Sequence, residues 1–310
     1  MSHQLLIVGT VAFDAIETPF GKTEKILGGA ATYIGLAAAQ FKKVDAGIVS
    51  VVGDDFPQAN LDLLTQNGIN LDGLEIVKGG KTFFWSGRYH NDMNTRDTLD
   101  TQLNVLADFQ PKVPAQFQNA GIVMLGNLHP AVQLSVLEQI KNPKLVVLDT
   151  MNFWMDTTLN LLKKVIAKVD VITINDEEAR QLSGEYSLVK AARVIRNMGP
   201  DHVVIKKGEH GALLFHNEEM FFAPALPLEE VFDPTGAGDT FAGGFAGYLA
   251  NSKDISFENM KNAVIYGSNL ASFCVEKFGT ERMQNLDKKE SKERLKHFKA
   301  LTQFEINLTK

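Results

Sequence analysis

Short runs of consecutive apolar residues, rich in Val and Ile, recur along the chain: LLIVG (5–9), AGIVSVV (46–52), GIVMLG (121–126), KLVVLDT (144–150), VDVITIN (169–175) and HVVIKKG (202–208). Between most of them lie stretches of helical character, such as 56–67, 130–141 and 155–168. A strand that is apolar on both faces is buried on both. Such strands alternating with helices predict a mostly parallel central sheet covered on each side, an α/β sandwich of three layers.

Two stretches break this rhythm. Residues 10–27 and 80–105 read as short strands and polar turns rather than strand–helix units. In TFFWSGRY the alternation puts Phe83, Trp85 and Tyr89 on one face and Thr82, Phe84, Ser86 and Arg88 on the other. Both stretches predict a small β lid inserted into one domain that spans 1–310. Apolar residues on both lid faces ask for cover on both, which predicts a homodimer joined through the lids. In the C-terminal DKKESKERLKHFKALTQFE, Leu295, Phe298 and Leu301 recur at three-residue spacing among lysines, the pattern of a helix with one solvated face.

Charge and composition narrow the function. With 31 basic against 37 acidic residues, the net charge of −6 offers no surface for nucleic acid or an anionic membrane. No run approaches about 18 uninterrupted apolar residues, so no transmembrane helix is expected. The opening MSHQLLIVG enters a strand without a secretion signal, so a cytoplasmic location is expected. Cys274 is the only cysteine, which rules out an internal disulfide, and it reads as a packing residue. The seven histidines show no metal-ligand spacing, so no structural zinc is expected.

Two GKT triplets, at 21–23 and 80–82, resemble the end of a P-loop, but Ile16 and Glu75 stand where its first glycine is needed. A dinucleotide fingerprint fails as well, because GAGDTF has Phe241 at the third glycine position. The informative stretch is DPTGAGDTFAGGF (233–245), where glycines crowd the entry to an apolar helix. A glycine turn at that point aims free backbone N–H groups at one spot at the positive end of the helix dipole. Asp239 at the rim reads either as a helix cap or as a base that accepts a hydroxyl proton. Charge stabilisation beside a positioned base is what phosphoryl transfer requires.

DPTGAGDTFAGGF resembles the C-terminal signature of the ribokinase-like (PfkB) family of sugar and nucleoside kinases. Three further segments resemble family motifs in family order: GGAATYIGLAAAQF (28–41), NDEE (175–178) and VVIKKGEHGALLF (203–215). The likeness covers nearly the whole chain, and the family's lid of inserted strands matches the two irregular stretches. It implies an ATP-dependent kinase with Asp239 as general base and Gly236, Ala237 and Gly238 as the anion hole. Asn175 and Glu178 would organise magnesium, although the same pair suits a helix capping box. Lys206 and Gly208 would lie beside the nucleotide. Asp14 would bind acceptor hydroxyls, with Gly28 and Gly29 admitting the acceptor. Asp233 and the loop at Gly279 match where some members bind a monovalent cation such as potassium.

The acceptor is the open question. Many sugar kinases of the family have asparagine where this chain has Tyr33, and DTMNFW (149–154) lacks the arginine of acid-sugar kinases. A sugar is the first expectation, its hydroxyls met by Asp14, Asn127 and lid residues such as Arg88, Asp92, Asn94 and Arg96. A nucleoside stacked on Tyr33, Phe84 or Trp85 is the alternative. A binding protein without catalysis is a third, set against the intact Asp239 and GAG.

Overall fold

The computed structural model describes residues 2–303 and 305. Seven parallel strands form most of a nine-stranded sheet. Its spatial order is Glu219–Ala223, Ala212–His216, His202–Lys206, Val171–Asn175, Leu145–Asp149, Ile122–Leu125, Gln4–Val8, Asp45–Gly53 and Ile69–Val77. Only the first two pair antiparallel. The buried Val, Ile and Leu of the central strands point alternately into two cores. One core lies under helices Ala30–Ala38, Ala237–Ser252 and Phe257–Cys274, the other under the helices between Pro130 and Arg196. Cys274 is fully buried in the first core, as its surroundings predicted.

Each of the six strands expected from apolar runs is present. Three more strands did not stand out. Ile69–Val77 sits at the sheet edge and is mostly half-exposed, so its sequence (INLDGLEIV) mixes polar and apolar residues. Strands Ala212–His216 and Glu219–Ala223 form a hairpin at the opposite edge, where one face is enough to hold them. Among the described residues no helix is long and apolar enough to cross a membrane.

The lid forms from the two expected stretches. Strand Ala12–Thr18 pairs in parallel with Phe84–Tyr89, which pairs antiparallel with Arg96–Gln102. Two short strands, Gly21–Lys22 and Ile26–Gly28, complete the sheet on the far side. Asp14 lies beside Trp85 in register, and Tyr89 lies opposite Arg96. Asp14, Ile16, Thr18, Gly87 and Tyr89 are all buried and share the inner face with Trp85 and Arg96.

The outer face is less apolar than the alternation predicted. Phe84 packs back onto the main core, and the remaining positions are Ala15, Glu17, Ser86 and Arg88. Arg88 Nε donates to Glu17 at 2.9 Å, and His90 meets Asp97 at 3.0 Å. The edge strand Arg96–Gln102 is exposed throughout and carries Arg96, Asp97 and Asp100, a charged edge that discourages strand pairing. Among the described residues the outer face of the lid is therefore mostly polar, with Leu99 its exposed large apolar side chain. Arg88, expected at the acceptor, points away from it for the same reason.

Candidate active site

Asp149, Asn175 and Lys206 are the last residues of three neighbouring parallel strands. The carboxyl ends of such strands are where open α/β sheets bind ligands. Lys206 reaches past the middle strand to Asp149, its Nζ 3.2 and 3.1 Å from the two carboxylate oxygens. Burial alone would lower the Lys206 pKa, but Asp149, Glu178 and Asp239 outweigh it and hold the group above its ordinary value. Lys206 is therefore a fixed cation. Asp149 was missed as a site residue, although its place at the end of an apolar strand was the available signal.

Opposite this pair the chain enters helix Ala237–Ser252. Gly236 caps it in the left-handed conformation, φ 73°, and a Cβ there would overlap the Tyr33 ring. Glycine is required on both counts. Ala237 N–H closes a turn to Pro234 O at 3.1 Å, while the N–H groups of Gly236, Gly238 and Asp239 have no partner among the described residues. The free donors thus differ from the expected trio by one residue, because a turn takes up the Ala237 N–H. A Cβ at Gly238 would stand 3.1 Å from Lys206 Nζ, so the ammonium lies against the start of this helix.

Asp239 is half-buried and its carboxylate accepts no hydrogen bond among the described residues. Burial, then the neighbouring Asp149, push its pKa up to about 7, against a smaller pull from Lys206 and Arg96. A carboxylate with that value is tuned to accept a proton near neutral pH.

The other predicted residues separate into those that meet and those that do not. Asn175 and Glu178 form a complete capping box: Glu178 N–H donates to Asn175 Oδ1 and Asn175 N–H donates to Glu178 Oε2, both at 2.8 Å. Burial raises the Glu178 pKa to about 7. Gly208 follows Lys206 by two residues, and a Cβ on it would stand 3.0 Å from the Oδ1 of Asn94, in the lid turn. An open cavity of about 390 Å³ adjoins it, lined by Lys207, Glu209, His210, Phe222, Pro224 and Ala225. A second cavity, of about 550 Å³, lies around Thr18, Tyr89 and His90 in the lid, and Asp239 lines neither.

Asp14 is buried, and its pKa rises to about 7 through burial first and the charges of Asp233 and Asp239 after it. A Cβ at Gly28 would overlap its carboxylate, and the Gly29 N–H stabilises the charged form. Asp233 accepts from Thr235 N–H at 2.8 Å and Gly279 N–H at 2.7 Å, tying the hole's loop to the loop at 279. Thr235 in turn donates from its hydroxyl to Tyr89 Oη at 3.3 Å, a direct link from hole to lid.

Two expected acceptor contacts are absent. Tyr33 is 1 % exposed with its ring packed against Gly236, so it offers no stacking face; its hydroxyl is buried without a partner. Asn127 stands just beyond strand Ile122–Leu125, but its amide is committed internally. Its oxygen accepts from Trp154 Nε1 at 2.8 Å and its nitrogen donates toward Met151 Sδ at 3.0 Å.

Comparison with known proteins gives this geometry a family. Residues 3–287 match the model of the pfkB family carbohydrate kinases. The chain is 31 % identical over 250 residues to the cytidine kinase of Thermococcus kodakarensis, covering 79 % of this chain and 88 % of that one. It is 25 % identical over 310 residues to the nucleoside kinase of Methanothermobacter thermautotrophicus, covering 90 % and 91 %. Among solved structures it resembles Arabidopsis thaliana ribokinase complexed with ribose and ATP, with a TM-score of 0.75 at 21 % identity over 96 % of this chain and 99 % of that one. The fold expected from the apolar runs is thus the ribokinase fold, and the chain belongs to the pfkB family, whose members are ATP-dependent kinases of sugar or nucleoside hydroxyls.

Proposed function

We propose that this kinase phosphorylates the primary hydroxyl of a nucleoside, with Asp239 as general base. The observation that carries the acceptor is the register of the lid: Trp85 lies beside Asp14 on the inner face. A buried carboxylate holding ribose hydroxyls next to a flat indole suits a sugar joined to a base, and stacking on an aromatic ring contributes about 1–3 kcal/mol. A free sugar asks for more convergent polar groups, and Arg88 and Asn127 are turned elsewhere. The names of the cytidine and nucleoside kinase relatives agree with this reading.

In the reaction, Asp239 takes the proton from the acceptor hydroxyl as its oxygen bonds to the γ-phosphorus. The bond from that phosphorus to the bridging oxygen breaks, and ADP leaves. Charge gathering on the phosphoryl group meets the free N–H groups of Gly236, Gly238 and Asp239 and the ammonium of Lys206, which Asp149 positions. The nucleotide approaches from the Gly208 side, where the 390 Å³ cavity opens.

Magnesium fits as the nucleotide's own ion. No group of three or more acidic, histidine or cysteine side chains among the described residues is arranged to hold a metal unaided. Glu178 keeps one oxygen outside the capping box, and with Asn175 it would hold the ion through water beside the phosphates. Magnesium would supply neutralisation of phosphate charge. Asp233 uses two of its acceptor sites on Thr235 and Gly279, leaving others for a monovalent cation such as potassium that would brace the same loops.

The test is ADP release from ATP across a panel of cytidine, uridine, adenosine, guanosine, inosine, ribose, fructose and glucose. Turnover is expected with at least one nucleoside, at a higher kcat/KM than with any free sugar. Turnover of a pentose or hexose with none of any nucleoside would overturn the acceptor assignment.

A further inference from the structure

Tyr33 is sealed in the interior, yet it borders the active site. Helix Ala30–Ala38 begins at Gly29, and in its first turn Tyr33 N–H donates to Gly29 O at 3.2 Å. This helix lies directly on helix Ala237–Ser252. A Cβ at Gly243 would stand 2.4 Å from Ile34 O, and one at Gly247 would stand 3.0 Å from Ala38 Cα. Packing of backbone on backbone leaves the two helices little room to slide. Tyr33 extends the contact to the cap of the second helix, where a Cβ on Gly236 would fall 2.4 Å from ring carbons Cδ1 and Cε1. The ring thus covers one side of the turn from which the N–H groups of Gly236, Gly238 and Asp239 project without a partner among the described residues.

We propose that Tyr33 is a positioning residue for phosphoryl transfer, a ring that holds the Gly236 turn in the shape that aims its free N–H groups. A buried aromatic residue is most often packing alone, and three observations argue for more here. Gly236 stands in the left-handed region, φ 73°, and glycine has the widest choice of backbone conformations, so a turn built on it needs a neighbour to keep its shape. The Tyr33 hydroxyl is buried and makes no hydrogen bond among the described residues, so the side chain acts through its ring. Tyr33 also stands within electrostatic reach of Asp14 and Asp233, and so adjoins both the proposed acceptor carboxylate and the loop of the hole. A shift of about 1 Å in a reacting geometry can cost on the order of 10²-fold in rate, which gives such a prop its leverage. Because the ring abuts the turn and not the acceptor, its effect is the same for every acceptor.

The proposal rests on the reading of this turn as the phosphoryl site with Asp239 as its base, and paired variants separate the two. Tyr33→Ala is expected to lower kcat by about 10-fold or more with every acceptor of the panel above that the parent turns over. Acceptor KM and calorimetric ATP affinity should stay within about threefold. With acceptor and magnesium present, affinity for ADP plus tetrafluoroaluminate, a planar mimic of the phosphoryl group in flight, should fall by a factor similar to that in kcat. Tyr33→Phe keeps the ring and should recover most of both losses. Unchanged kcat and mimic affinity in Tyr33→Ala, while Asp239→Asn is inactive, would overturn the role of Tyr33 and leave the base intact. A loss that Tyr33→Phe fails to recover would also overturn it, since the hydroxyl would then be the active part. So would a lower kcat at unchanged mimic affinity, the mark of a packing defect. Full activity in Asp239→Asn would overturn the reading of the site, and the proposal with it. If Tyr33→Ala folds poorly, Tyr33→Leu, which keeps apolar bulk without a ring, carries the same expectations.

Discussion

At the phosphoryl end of the cleft, Asp149 and Lys206 end strands of the main sheet, and the anion hole with Asp239 comes from a single turn entering one helix. At the acceptor end, Asp14, Trp85, Tyr89 and Arg96 stand on three strands of the lid, drawn from sequence positions more than 80 residues apart at the extremes. The first region is built from short, contiguous motifs on rigid elements. The second exists only through strand pairing on a sheet whose last strand is fully exposed. On the proposed reading, chemistry common to many acceptors is fixed in the body, and the choice of acceptor is left to a surface that can vary by changing single lid residues.

The comparison breaks most sharply at Asp239. Replacing it with Asn keeps its shape but removes the base, and kcat is expected to fall by about 10²–10⁴-fold. Because the change lies at the phosphoryl end, it should act alike on every acceptor, while calorimetric ATP affinity changes little. A kcat close to the parent's would mean that the carboxylate is not the base.

Trp85→Ala probes the other end. Losing a stacking platform worth about 1–3 kcal/mol should raise the nucleoside KM by roughly 5–150-fold while the KM for ATP holds. Turnover of free ribose, which has no base to stack, should be unaffected. Equal losses for ribose and nucleoside would show Trp85 to be lid packing rather than a recognition surface.

The smallest effect concerns stability, and it joins the two ends. Asp14, Glu178 and Asp239 all have pKa values of about 7 in the fold, raised mainly by burial. Unfolded, they titrate near 4. The folded protein therefore binds more protons than the unfolded chain between these values, and its stability rises as the pH falls from about 7 toward 4. In the ligand-free protein the melting temperature should be higher at pH 6 than at pH 8, by roughly 2–4 °C for each kcal/mol recovered. Asp14→Asn and Asp239→Asn should each reduce that difference, one from each end of the cleft. A melting temperature that climbs steadily from pH 6 to pH 8 would contradict the burial of these charges.

How far the sequence reached follows the same division. Apolar runs such as KLVVLDT and VDVITIN predicted central strands because a strand buried on both faces has no other composition to use. Ile69–Val77 escaped notice because an edge strand is half-wet and loses that signal. The glycine turn before Asp239 was legible because a left-handed cap at a helix start is written in adjacent residues. Even there, only the fold shows that Ala237 spends its N–H on Pro234.

Tyr33 and Trp85 mark the boundary. Both are aromatics near candidate acceptor groups, and nothing local tells them apart. Helix Ala30–Ala38 is buried along its whole length, so Tyr33 is sealed against Gly236. Trp85 falls on the inner face of the lid because strand pairing sets it beside Asp14. The same holds for Arg88 and Arg96, one bound to Glu17 outside and the other opposite Tyr89 inside. By itself the sequence determined the layered α/β fold, the family and the phosphoryl chemistry, since each rests on periodicity or on residues close along the chain. Which aromatic and which arginine lie on the inner face of the lid was decided by tertiary structure alone, because the register between strands about 70 residues apart is set by packing in the whole sheet and not by any segment of it.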